Sequence, residues 1–194
     1  MTTFAEGWSD GPGQDEPDAT GLSARLAKSA RAGDANDAQR AFDAMSAGGA
    51  LPTPVDWNML VSAYAKAADA HGAQRTFDAM VAAGTQPNVV AWGALLNAYA
   101  KHGDPAGAQR TFDAMTATGT RPNEIMWRTL LNAYAKHGDP AGAQRTFDAM
   151  TATGTPADET AWGTLLNAYA QADDPAGAQR TFDAMTAAGA RPSD

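Results

Sequence analysis

The 194-residue chain contains no cysteine, which excludes disulfides and thiolate metal sites and suits a reducing compartment. It has no apolar run near the ~20 residues needed to span a bilayer, so no membrane helix is expected. Large aromatic residues are scarce: six Phe and five Trp stand in a sequence that is 44% hydrophobic but dominated by alanine. Small residues with few large ones suit closely packed helices better than a sheet, which favours Val, Ile and Thr. Cations are missing from the opening stretch MTTFAEGWSDGPGQDEPDATG, which also lacks an apolar core. That stretch reads as neither a secretory signal nor an Arg-rich transit peptide, which leaves the cytoplasm as the default compartment. Residues 1–18 are expected to form a disordered acidic tail. The net charge of −8 argues against a phosphate-bearing partner. Glu6, Asp10, Asp15, Glu16 and Asp18 hold −5 of it, however, leaving −3 for the rest, so local arrangement matters more than the total.

What the chain does have is repetition. NAYAKHGDPAGAQRTFDAMTATGT occurs at 97–120 and again at 132–155, letter for letter. Self-alignment gives a period of 35, with units at 19–53, 54–88, 89–123, 124–158 and 159–193. Such a period marks a solenoid, whose units bury their apolar faces only against neighbours. Within 89–123, Trp92, Leu95, Leu96 and Tyr99 form one helical stripe, and Gly103 stands where a helix would end. Asp104 as N-cap and Pro105 as first residue open a second helix, with Ala108, Phe112 and Met115 on its stripe and an end near Gly119. The fold expected is all-α: five stacked helical hairpins. In the first unit Leu22 replaces the Trp and Arg25 a Leu, which suits a solvent-facing cap. The other end shows no capping helix, so either the last apolar face meets a protein partner or a second copy, or the natural chain continues beyond Asp194.

The unit VVAWGALLNAYAKHGDPAGAQRTFDAMTATGTRPN resembles the pentatricopeptide repeat. Its aromatic fourth residue, leucine pair, A-K-x-G turn, A-x-x-x-F-x-x-M second helix and closing G-x-x-P-N carry the resemblance, which recurs over residues 19–193. The resemblance implies a right-handed α-solenoid that binds single-stranded RNA, acting in RNA processing, stability or translation, and adds an organelle as the alternative compartment.

Residues one period apart form columns. Arg31, Lys66, Lys101, Lys136 and Gln171 end the first helices, and cations stacked at roughly 8–10 Å per layer can track a sugar–phosphate backbone. A Lys at this place is associated with phosphate contact in the family; the alternative is a favourable charge at a helix C-terminus. Arg40, Arg75, Arg110, Arg145 and Arg180 each precede an Asp by three residues (Asp43, Asp78, Asp113, Asp148, Asp183), and the spacing predicts an exposed ion pair within each second helix. The resemblance implies base reading by the fifth and last residues of each unit: Ser23/Thr53, Asn58/Asn88, Gly93/Asn123, Arg128/Asp158 and Gly163/Ser193. Of these, Asn58/Asn88 matches a pair associated with pyrimidines, whereas Gly93 and Gly163 have no side chain to reach a base and Arg128 is atypical. The base-clamping places hold Val55, Val90, Ile125 and Thr160. Weak or partial sequence specificity is therefore expected.

Trp57, Trp92, Trp127 and Trp162 share the apolar stripe and are expected in the core rather than against bases. His102 and His137 recur a unit apart, too far to share one ion. No nucleophile–base grouping, phosphate-cradling Gly loop or carboxylate pair stands out, so neither enzymatic activity nor a cofactor, metal or small-molecule substrate is expected. The alternative function is a protein-interaction scaffold without nucleic-acid binding, which the acidic total favours.

Overall fold

Short-range chemistry punctuates the chain as the sequence predicts. In the computed structural model, which describes residues 19–190, ten α-helices run in sequence: α1 Ala19–Ala32, α2 Ala35–Ala47, α3 Pro54–Lys66, α4 Ala70–Ala82, α5 Val89–His102, α6 Pro105–Ala117, α7 Glu124–His137, α8 Pro140–Ala152, α9 Glu159–Gln171 and α10 Pro175–Ala187. Gly103 caps α5 at φ 82°, and Gly138 caps α7 at φ 74°, the left-handed region that side chains resist. The Asp104 side chain then accepts from Gly107 N at 2.8 Å, and Pro105 begins α6.

Ala68 and Asp173 occupy the places of Gly103 and Gly138 and adopt φ 56° and 51°. A Cβ there costs about 1 kcal/mol. Ala68→Gly is therefore expected to stabilise the array by about 0.5–1 kcal/mol, read as a rise in thermal or urea midpoint. A fall would show that this turn prefers its alanine.

Each first helix packs on the first helix of the next pair, whereas no Cα atoms of successive second helices approach within 8 Å among the described residues. The array therefore curves, with first helices lining the inner side and second helices spread on the outer side. One continuous core runs through it, and the Trp column lies within that core as expected. Phe42, Phe77, Phe112 and Phe147 each meet the Trp of the following pair at a centroid distance of 4.5 Å.

The ion pairs predicted within the second helices do not form among the described residues. Gln39, Gln74, Gln109, Gln144 and Gln179 lie one turn before the column Asp residues and donate to them at 2.7–2.8 Å. The Arg side chains lean toward the helix N-terminus, as helical side chains do. Arg110 and Arg145 thus approach the capping carboxylates of Asp104 and Asp139 at 3.7 and 4.0 Å. The first four of these glutamines accept from the next pair's tyrosines: Tyr64 to Gln39, Tyr99 to Gln74, Tyr134 to Gln109 and Tyr169 to Gln144, at 2.8–3.1 Å. A Tyr–Gln–Asp chain thereby ties each pair to its neighbour, and burial pushes the Tyr64, Tyr99 and Tyr134 phenols above their ordinary pKa.

The first pair departs from this pattern. Leu22 and Leu26 are buried, but Arg25 stays half-exposed and pairs with Asp37 of α2. Asp37 also accepts from Ser29 and Arg40; Arg25 foremost and then these partners hold its carboxyl far below the ordinary carboxylate range.

Candidate nucleic-acid interface

The clamping residues Val55, Val90, Ile125 and Thr160 fall in the first turns of α3, α5, α7 and α9. All four are exposed, an arrangement that burial of apolar surface alone would oppose. Between α5 and α7 a cleft of about 440 Å³ gathers Val90, Ile125, Gly93 and Asn123 with Lys66 of α3. It thus brings together one residue of the cation column with the two residues and the one pair to which the family resemblance assigns base clamping and base reading. Asn97 also lines it, one turn beyond Gly93 on the same face, a placement that helical spacing could have indicated. The space beside Gly93 is partly taken by the Met126 methyl, which would lie 3.1 Å from a Cβ there; beside Gly163 the space is open.

Among the described residues, the last residue of each unit caps the helix that follows, which the column reading missed. Thr53, Asn88, Asn123 and Asp158 are the N-caps of α3, α5, α7 and α9. Asn88 Oδ1 accepts from Val90 N and Ala91 N at 3.0 and 3.1 Å, which leaves its amide group for other partners. Asn123 accepts from Met126 N at 3.0 Å. The signal was in the sequence, since Asn, Thr and Asp just before an apolar stripe are the usual caps.

The reading pairs differ in what remains free. Ser23 and Thr53 are both spent on Asp56, only 3% exposed: Ser23 Oγ donates to Oδ1 at 2.8 Å and Thr53 Oγ1 to Oδ2 at 2.6 Å, with Thr53 N–H at 2.9 Å. Burial pushes the Asp56 carboxyl up, but these hydrogen bonds outweigh it and hold the group below its ordinary value. A folded-state pKa below the unfolded one adds stability above about pH 4, which is lost as pH falls through the folded value. Asp56→Asn is accordingly expected to cost about 1–2 kcal/mol at pH 7, with a smaller difference from the parent at about pH 3. Urea midpoints at the two pH values check this; an equal loss at both would contradict it.

Arg128 and Asp158 pair with each other, Nη1 to Oδ2 at 3.2 Å, and Arg128 also reaches Glu124 at 3.3 Å. Asn58 is different: it is 9% exposed, and its Oδ1 has no hydrogen-bond partner among the described residues. Ser193, the last reading residue, and the acidic stretch 1–18 lie outside the described residues.

In the phosphate column, Lys66 Nζ donates to Arg31 O at the end of α1, 2.9 Å away, so it closes the neighbouring helix C-terminus. Arg31, Lys101 and Lys136 are exposed. His102, one residue past Lys101, approaches Ala68 O at 3.1 Å through Nδ1.

Comparison with known proteins fits this geometry. A family model for the pentatricopeptide repeat domain matches residues 75–137, one for pentatricopeptide repeat-containing protein matches 124–194, and one for the PPR repeat matches 55–85. No curated protein sequence matches the chain significantly. Among solved structures, pentatricopeptide repeat protein PPR10 from maize aligns with TM-score 0.74 and 25% identity, over 91% of this chain and 25% of that one. PPR10 in complex with an 18-nt psaJ RNA element gives 0.76 and 24%, over 91% and 26%. The PPR domain of Arabidopsis thaliana protein-only RNase P 1, in complex with tRNA, gives 0.74 and 17%, over 89% and 91%. The chain thus spans about a quarter of PPR10 and nearly all of the RNase P repeat domain. With its 35-residue helix pairs and these matches, the chain belongs to the pentatricopeptide repeat family.

Proposed function

We propose that this chain binds single-stranded RNA along its layer of first helices and performs no chemistry of its own. The observation that carries the reading is the cleft between α5 and α7, where exposed Val90 and Ile125 flank polar groups and Lys66 stands beside them. Aliphatic faces one unit apart suit an unstacked base, and a cation at the edge suits its phosphate. The PPR10 and RNase P 1 structures, solved with an RNA element and with tRNA, support the same reading.

Specificity is concentrated at the Asn58/Asn88 pair. The Asn58 oxygen is buried, so base contact at this pair falls to the exposed Asn88, whose amide group its capping contacts leave free to donate. Elsewhere the readers are tied to Asp56, tied to one another as Arg128 and Asp158, or absent as at Gly93 and Gly163. Partial specificity follows, and the cellular role is then in processing, stabilisation or translation of the bound RNA. Binding of random short RNA pools across a salt series tests the reading. Affinity should fall as salt rises, with pyrimidine enriched at one position; no binding at low salt would end it. The second reading, a protein scaffold, draws on one observation, the exposed Phe182 of α10.

A further inference from the structure

Gly93 and Gly163 bring no side chain to a base, yet asparagine stands one helical turn beyond each of them, as Asn97 and Asn167. Residues four apart share a helix face. A helical side chain also leans toward the N-terminus and covers the turn before its own Cα. Asn97 therefore reaches back over the place that Gly93 leaves bare.

The cleft between α5 and α7 shows what this placement offers. Asn97 lines it together with Gly93, Asn123, Val90 and Ile125. It is half-buried, and its side-chain amide makes no hydrogen bond among the described residues. Two other polar groups of the cleft are partly spent. Thr129 Oγ1 donates to Ile125 O at 2.7 Å, and Asn123 Oδ1 accepts from Met126 N at 3.0 Å. Asn97 thus keeps both a donor and an acceptor, whereas Asn123 keeps its N–H groups. The space between them is open. Outside its own stretch of helix, a Cβ on Gly93 would meet only the Met126 methyl within 4 Å among the described residues.

We infer that Asn97 takes the base-reading part that Gly93 cannot play, and that the base it selects is a purine, adenine above all. The inference rests on the RNA-binding reading of this face. Two features set the base class. Four residues of helix rise about 6 Å, so the amide stands further along the cleft than a side chain at 93 would. A two-ring base spans that added distance, and the bare Gly93 gives it room. An intact side-chain amide also matches adenine bidentately, donating to N7 and accepting from the N6 amino group. The next unit supplies a control within the molecule. Arg128 fills the matching place on α7 and pairs with Asp158, so Asn132 has no bare position to cover.

Selection from random short RNA pools, with the full chain and three variants, tests this. The parent should enrich adenine about tenfold over pyrimidines at one position, beside the pyrimidine expected from Asn88. Asn97→Ala should abolish the purine enrichment and leave its pyrimidine neighbour. Its melting midpoint should be at or above the parent's, since alanine is the better helix former. Gly93→Asn places an amide where Asn58 stands in the preceding unit, with only the flexible Met126 methyl to move aside. Enrichment at that position should then turn from purine to pyrimidine. Asn132→Ala should change neither position. RNA binding without an enriched purine overturns the inference and leaves the RNA-binding reading standing. Purine enrichment that survives Asn97→Ala or Gly93→Asn overturns it, as does an equal loss with Asn132→Ala. A lowered midpoint for Asn97→Ala, with affinity reduced for every sequence alike, overturns it by making the side chain structural. No RNA binding at low salt would end both readings together.

Discussion

Gly107→Ala is expected to destabilise the array by about 2–3 kcal/mol, although alanine is the better helix former by about 1 kcal/mol. Gly107 sits in the first turn of α6, directly beneath the Tyr99 ring. A Cβ there would stand 2.3 Å from Tyr99 Cδ1 and 2.5 Å from Asp104 Oδ2. Neither neighbour moves cheaply. The ring is anchored by its hydroxyl on Gln74 at 2.9 Å, and Asp104 caps the helix through Gly107 N. Overpacking therefore overrides propensity, and the melting midpoint should fall by roughly 4–12 °C. The first pair shows how the strain is avoided: there Ser29 replaces the Tyr, and Asp37 takes the glycine's place. Gly107→Ala combined with Tyr99→Ser should consequently lose less than the two single losses added, by about 1–2 kcal/mol. A midpoint for Gly107→Ala at or above the parent's would refute the packing argument.

The second large effect concerns binding. Lys66→Glu/Lys101→Glu/Lys136→Glu should reduce affinity for single-stranded RNA by about 10²–10³-fold at 0.1 M salt. The slope of log K against log salt should lose about two units, since each single-strand phosphate contact contributes roughly 0.7. The three positions are not equivalent. Lys66 donates to Arg31 O, so its replacement also removes a helix-end hydrogen bond and a little stability. Lys101 and Lys136 are exposed at the ends of α5 and α7, and the double Lys101→Glu/Lys136→Glu variant isolates the phosphate effect. Unchanged RNA affinity in both variants, with helicity and midpoint intact, would leave the cation column as helix-end charge only.

The sequence by itself determined the helices, their pairing and their repetition. Pro105 after Asp104, Gly103 and Gly138 at left-handed caps, and the Trp92–Tyr99 stripe all act over a few residues, so local chemistry suffices to place them. The exposed Val55, Val90 and Ile125 were legible by family resemblance for the same reason, since a residue's place in the unit sets its face. What only the tertiary structure decided is which polar groups are already committed. The Arg–Asp spacing suggested pairs within one helix, but Gln109 takes Asp113 and at the same time receives Tyr134 from 25 residues away. Arg128 meets Asp158 across 30 residues, Ser23 meets Asp56 across 33, and Lys66 meets Arg31 O across 35. These partners lie in successive helix pairs. Their meeting depends on how one pair stacks on the next, and no spacing within a single unit encodes that alignment.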